Sequence, residues 1–202
     1  RNIILSFTEL MLEENNLNER KEYFSIVKRN SDGLLNIIND LLDMSKIEAG
    51  MLNYQIAGTD LNLLCKEVVN DLSSTTQNDV KLLFKPEKDS FIINTDKQRL
   101  RQVIVNLVSN ACKFTTEGEI TISYKQLSTD CLEIRVTDNG IGIATENIPK
   151  LFNRFTKLNS NAKGTGLGLV ICKSIIEHLG GEIGIESELG KGSSFWFTHP
   201  IS

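Results

Sequence analysis

The sequence predicts an α+β protein in two parts, a helical hairpin followed by a two-layer α/β sandwich with a mixed sheet. Three observations carry this. Residues 1–49 hold apolar side chains at three- and four-residue steps, with no proline and one glycine, Gly33. From Asp60 onward, runs of period two alternate with helical stretches. Several of those runs are joined by hairpin-type breaks, the pattern of strands and helices sharing one sheet.

In the first part, Ile4, Phe7 and Met11 make one stripe, and Glu13-Glu14-Asn15-Asn16 interrupts it as a turn. Phe24, Val27, Ser31, Leu34, Ile38, Leu41 and Ser45 then follow a heptad-like seam, widened by Leu35 and Leu42. Gly50 suits the C-terminal cap after Lys46-Ile47-Glu48-Ala49. Two short antiparallel helices cannot hide such faces from water, and burying one large aliphatic side chain is worth roughly 1.5–3 kcal/mol. The expected solution is a homodimer in which two hairpins form a four-helix bundle. The alternative is a hairpin packed on the rest of its own chain.

In the second part, residues 61–72 read as a helix with apolar residues at 61, 64, 65, 68, 69 and 72. Residues 80–84 and 91–94 are short β-like runs. Asp96 suits the N-cap of a helix to residue 113, with Leu100, Val103, Ile104, Leu107 and Val108 on one face. Residues 120–125 and 132–136 alternate as half-buried strands. A helix follows Gly164-Thr165-Gly166 and ends near Leu179, before Gly180-Gly181. Residues 183–187 and 194–198 form a closing hairpin around Gly190-Lys191-Gly192.

The chain has 202 residues, 40% hydrophobic and 24% charged, with a formal net charge of −4. That composition excludes a mainly disordered state. The mild acidity argues against a nucleic-acid-coating surface. No apolar run approaches the ~20 residues that span a bilayer, so no membrane contact is expected of this segment. Arg1 opens into Ile3-Ile4-Leu5 without a small-residue cleavage site, so no signal peptide is expected here. Cys65, Cys112, Cys131 and Cys172 form no Cys-x-x-Cys pair and read as reduced core thiols in a cytoplasmic setting. His178 and His199 stand apart and read as packing or surface residues.

Three clusters carry chemistry. In Asn106-Leu107-Val108-Ser109-Asn110-Ala111-Cys112-Lys113-Phe114, the two asparagines are four apart, on one helical face, with Lys113 on the same edge. Asn is a mediocre helix former, and an amide facing the apolar side needs partners. A magnesium ion held between phosphates would use both amide oxygens. The plainer reading is that the amides tie the helix to a loop. In Asp138-Asn139-Gly140-Ile141-Gly142-Ile143, a carboxylate at a strand end can accept donors from a flat heterocycle, and Gly140 and Gly142 let backbone approach a ligand. Asp-Asn-Gly is also a common turn. Gly164-Thr165-Gly166-Leu167-Gly168-Leu169 opens a helix, where free N–H groups favour phosphate. It lacks the Gly-Lys-Ser/Thr of a P-loop, and no strand directly precedes it as in a Rossmann fingerprint. Between the last two clusters, Phe152-Asn153-Arg154-Phe155 and the polar residues 156–163 read as a lid anchored by two aromatics.

In this order the clusters resemble the catalytic core of two-component sensor histidine kinases, within the ATPase superfamily shared with gyrase, the ninety-kilodalton heat-shock chaperone and mismatch-repair ATPases. Residues 106–114 resemble the N box, 138–142 the first glycine box, 152–155 the F box and 164–168 the second glycine box. Residues 41–50 resemble the exit of the second dimerisation helix, and 188–197 the closing hairpin. The resemblance covers nearly the whole chain. It implies residues 1–52 as a dimerisation hairpin and 53–202 as an ATP-binding domain with an ATP lid. It implies Asn110 as a magnesium ligand with Asn106 alongside, Lys113 on the phosphates, and Asp138 on the adenine amino group. Gly142 and Ile143 would line the adenine slot, and Gly164, Thr165, Gly166, Leu167 and Gly168 would hold the phosphates. Phe152 and Phe155 would anchor the lid, with Arg154 helping to position phosphate.

Hydrolytic members resemble this chain except for a water-activating glutamate at the position of Asn106. A neutral amide takes no proton at neutral pH, so transfer to another nucleophile is expected instead of hydrolysis. The resemblance places the phosphoacceptor histidine several residues before Arg1, and a response-regulator receiver domain as the next acceptor. Two other readings stand beside it. One is a degenerate nucleotide-sensing or dimerisation module without kinase activity. The other is a hydrolytic chaperone- or topoisomerase-type ATPase, which Asn106 and the hairpin oppose.

Overall fold

A computed structural model describes residues 2–74, 76, 79–156 and 165–201. Asn2 caps α1 (Ile3–Glu13) by accepting from the Ile4 N–H, and Asn16 caps α2 (Leu17–Glu48) by accepting from the Asn18 N–H. The break between them is shorter than the polar run, because Glu13 completes the last turn of α1. The Phe7 and Tyr23 rings meet across the hairpin at 5.7 Å. Gly50 ends the second helix with a φ of +63°, which glycine adopts without strain.

The hairpin seam divides. At its C-terminal end Met44 is buried and Ile47 packs on the core of the same chain. Higher up, Phe24, Leu34, Leu35, Leu41 and Leu42 stay about half exposed or more. Packing against the rest of the chain thus accounts for the last turns only.

The second part contains β1 (Ala57–Asp60), α3 (Leu61–Ser73), β2 (Val80–Lys85), β3 (Ile92–Thr95), α4 (Lys97–Phe114), β4 (Gly118–Gln126), β5 (Cys131–Asp138), a 3-10 turn (Thr145–Lys150), α5 (Gly168–His178), β6 (Ile183–Glu188) and β7 (Gly192–Pro200). The main sheet runs β2-β4-β5-β7-β6, parallel at β2–β4 and antiparallel elsewhere. It is therefore mixed, as expected. Leu132, Ile134 and Val136 alternate inward from β5 and are fully buried with Leu100, Ile104 and Leu107 of α4 and Ile171 and Ile175 of α5. This is the second layer, a shared core of aliphatic side chains.

Strand β1 carries no period-two signal, since Ala-Gly-Thr-Asp lacks alternating bulk. It forms by pairing with β3, Ala57 opposite Thr95 and Asp60 opposite Ile92. Each partner then leads into a capped helix. Asp60 accepts from the Asn62 and Leu63 N–H groups, and Asp96 from Arg99 N–H. The second oxygen of Asp96 accepts from Gln55 N–H at 2.7 Å, pinning the segment that leaves the hairpin. His199 is buried against Thr95 Oγ1 at 2.9 Å, and His178 stacks on Tyr54 at 3.9 Å, so both pack. All four cysteines are free, but only Cys65 and Cys172 are core residues. Cys112 and Cys131 are half-buried, the first packing against the core from α4 and the second opening β5.

Candidate functional site

Helix α4 turns Asn106 and Asn110 to the same side, where both line a cavity of about 1360 Å³. Neither amide oxygen has a hydrogen-bond partner among the described residues. Lys113, one turn on, joins the same wall, with its ammonium 5.2 Å from the Phe114 ring centroid. Helical geometry alone produces this row, because i, i+4 and i+7 share one face.

The facing wall comes from the end of β5. Asp138 is 7% exposed, and its Oδ1 accepts from Gly140 N–H at 2.9 Å. Burial pushes its carboxyl above the ordinary aspartate range, while backbone donors from Gly140 and Ser193 pull the other way. Gly140 sits behind the carboxylate in a cradle with no room for a side chain, since a Cβ would lie 2.4 Å from the Phe114 carbonyl oxygen. Gly142 has a φ of +66°, and a Cβ there would lie 2.0 Å from the Glu188 carbonyl oxygen. Both glycines are required by the backbone path. Ile143 N–H donates to Ser187 Oγ at 2.8 Å, which sets the floor beside Gly142.

The third wall is the opening of α5. Thr165, Gly166 and Gly168 line the cavity. Thr165 Oγ1 accepts from Leu167 N–H at 3.1 Å and donates to Asp40 Oδ2 of α2 at 2.8 Å. No side chain among the described residues caps α5, so its first N–H groups present the positive end of the helix.

One cavity thus collects Asn106, Asn110, Lys113, Asp138, Gly142, Ile143, Thr165, Gly166 and Gly168. Other sequence-derived candidates lie elsewhere. Leu167 is 1% exposed and belongs to the core, so only its backbone serves the loop. The Phe155 ring is 66% exposed and pairs with no other ring among the described residues. Its backbone N–H instead holds the loop by donating to the Gly166 carbonyl at 3.0 Å. Arg154 pairs with Glu48 of α2 instead of facing the cavity. Gly164 and lid positions 157–163 lie outside the described residues.

Two residues escaped the sequence reading. Ser193 lies directly opposite Asp138 in the β5–β7 register and lines the cavity. Thr115, just past α4, is fully buried, and its hydroxyl has no partner among the described residues. It stands 2.8 Å from where a Gly140 Cβ would be, beside Asp138 Oδ1 at 2.9 Å from the same point. Neither has a sequence signal of its own, because each is placed by a strand or turn remote from Asp138 in the chain.

The donor set suits a magnesium nucleotide. No group of three or more His, Cys, Asp or Glu side chains that could hold a metal occurs among the described residues. A cation here would take neutral amide oxygens and need phosphate oxygens to complete its shell, as magnesium does. The orphaned Thr115 hydroxyl behind Asp138 is the kind of buried polar atom that an ordered water or ligand completes.

The hairpin reaches the same region. Asp43 accepts from Arg99 Nη1 at 3.0 Å and from Gln102 Nε2 at 2.7 Å, both on α4. With Asp40 on Thr165 and Glu48 on Arg154, α2 holds α4 and residues on both sides of the 157–164 segment.

Comparison with known proteins agrees with this arrangement. The family described as "Histidine kinase-, DNA gyrase B-, and HSP90-like ATPase" matches residues 95–202, and "His Kinase A (phospho-acceptor) domain" matches residues 2–50. "Sensor protein GacS" of Pseudomonas syringae pv. syringae is 38% identical over 98% of this chain and 23% of its own length. "Signal transduction histidine-protein kinase BarA" of Escherichia coli K12 is 34% identical over 97% of this chain and 22% of its own. The chain therefore spans under a quarter of these relatives. Among solved structures, full-length ShkA in complex with AMPPNP superposes with a TM-score of 0.81, 26% identity, and coverage of 100% of this chain and 43% of that one. Histidine kinase ThkA in complex with the response regulator protein TrrA gives a TM-score of 0.73, 25% identity, and coverage of 100% and 58%.

Proposed function

The chain belongs to the sensor histidine kinases of the histidine kinase-, DNA gyrase B- and HSP90-like ATPase family, and we propose that it moves the γ-phosphoryl group of ATP to a histidine. Neither His178 nor His199 lies in the segment matched by the phospho-acceptor family, so the acceptor proposed is a histidine other than these two, with a response-regulator aspartate receiving the group next. The observation that carries this reading is the single cavity lined by Asn106, Asn110, Asp138 and Thr165.

Each wall has a role. Asp138 accepts from the adenine amino group, and its depth in the fold excludes competing water. Ser193 and Thr115 flank it as hydroxyl partners. Lys113 and the N–H groups opening α5 take up phosphate charge. Asn110 and Asn106 offer their oxygens to magnesium, which when bound neutralises charge on the transferring group. Asn106 cannot remove a proton from water, so the phosphoryl group waits for a positioned nucleophile. Residues 1–52 act as the dimerisation hairpin and 53–202 as the ATP-binding domain. The exposed apolar residues of α2 support a homodimer, because four half-exposed leucines on one helix are costly in water. The four unpaired cysteines support a reduced, cytoplasmic setting. No helix among the described residues is long and apolar enough to cross a membrane.

Titration with AMPPNP, with and without Mg2+, tests the reading. The parent chain should bind more tightly with the metal, and Asn110→Ala should lose that gain. An unchanged Asn110→Ala variant, or no binding at all, would favour a degenerate dimerisation module. Steady ATP turnover by the chain alone would favour the hydrolytic alternative.

A further inference from the structure

The geometry points to Cys172 as the residue that decides which end of the Asn106 amide faces the cavity, a positioning role that rests on the magnesium-nucleotide reading above. Cys172 is fully buried on α5, one turn beyond Gly168. Its sulfur lies 3.9 Å from the Val103 carbonyl oxygen and 3.6 Å from Asn106 Nδ2. A carbonyl only accepts, so the thiol hydrogen goes to Val103. The sulfur then has only lone pairs to offer, and Asn106 meets it with its NH2 group.

A carboxamide is planar. With its nitrogen on the sulfur, its oxygen points away, on the side of the cavity that Asn106 lines. No described residue binds that oxygen. Gly168 backs the amide: a Cβ there would be 3.7 Å from Nδ2 and 4.0 Å from Oδ1. Positions 168 and 172 of α5 therefore form a slot for one side chain of α4.

The two ends of an amide are nearly equal in size, so packing alone does not choose between them. The direction of the hydrogen bonds does. A reversed amide would present N–H groups to a cation that needs oxygen lone pairs. Each bond in the chain Asn106–Cys172–Val103 is weak, so its loss should lower Mg2+-dependent affinity by about three- to tenfold.

AMPPNP titrations of the whole chain, with and without Mg2+, read this directly. Cys172→Val removes both hydrogen-bonding roles at similar size, and Cys172→Ser keeps them. The valine variant should lose about three- to tenfold in the metal-dependent gain while keeping its metal-free affinity, and the serine variant should stay near the parent. In an Asn106→Ala background, Cys172→Val should cost nothing further. A valine variant with the parent's full metal gain overturns the proposal, as does an equal loss in the Asn106→Ala background. Cys172→Ala repeats the measurement if the valine variant does not fold. A parent chain with no metal-dependent gain overturns the nucleotide reading itself, a different result from a responsive parent with an equally responsive variant.

Discussion

Replacing Asp138 with Asn should move affinity and stability in opposite directions. The carboxylate is 7% exposed, and no ion pair reaches it among the described residues. Burial therefore raises its pKa, against the pull of the Gly140 and Ser193 backbone donors. A raised folded value means that the neutral form is the better tolerated one. The associated stability is fully present below the unfolded aspartate value of about 3.9 and is lost as pH rises through the folded value. Asparagine keeps an oxygen for the Gly140 N–H and carries no charge. The variant should melt at the same temperature as the parent or higher at pH 7, with a weaker pH dependence in the acid range. Binding responds the other way. An amide turned to keep its Gly140 bond presents NH2 to the adenine amino group, donor against donor. Losing a hydrogen bond to a charged group costs about 1.5–3 kcal/mol, or roughly 10- to 150-fold in affinity. Parent affinity should likewise fall as pH drops through the raised value. Calorimetric titration with AMPPNP, paired with thermal unfolding across pH, measures both. Parent-like affinity in a folded Asp138→Asn variant would refute the placement of the base.

Three further outcomes follow from the same geometry. Asn110→Ala should abolish most of the magnesium-dependent gain in AMPPNP affinity and leave the melting temperature nearly unchanged, because the side chain is half-exposed and supports no described hydrogen bond. Asp40→Asn removes a negative charge from the cavity wall where it accepts from Thr165, so triphosphate affinity should rise by about two- to fivefold in titrations at low salt. If the proposed hairpin dimer forms, Leu34→Gln with Leu41→Gln should convert it to monomer in analytical ultracentrifugation, with a dissociation constant about a thousandfold higher. A double variant that sediments as the parent does would refute the proposed hairpin interface.

Local pattern was enough to read the helices, most strands and one wall of the candidate site. Asn106, Asn110 and Lys113 share a face because helical spacing is local, and a capped 18-residue helix leaves no other arrangement. The glycines at 140 and 142 were readable for the same reason, since a strand-end turn is a property of consecutive residues.

The pairings between distant residues came from the packed fold. Ser193 meets Asp138 through antiparallel β5–β7 register, and Ala57–Asp60 becomes a strand because β3 lies beside it. Thr165 finds Asp40, and Asn106 finds Cys172, across helices that packing brings together. Phe155 shows how backbone and side chain divide: the ring is largely exposed, while its backbone N–H reaches the Gly166 carbonyl across the gap in sequence, a contact no local pattern announces. Hydrophobic periodicity says which side of an element is buried. It says nothing about which remote residue will face it, because sheet register and helix docking depend on the summed packing of the whole core.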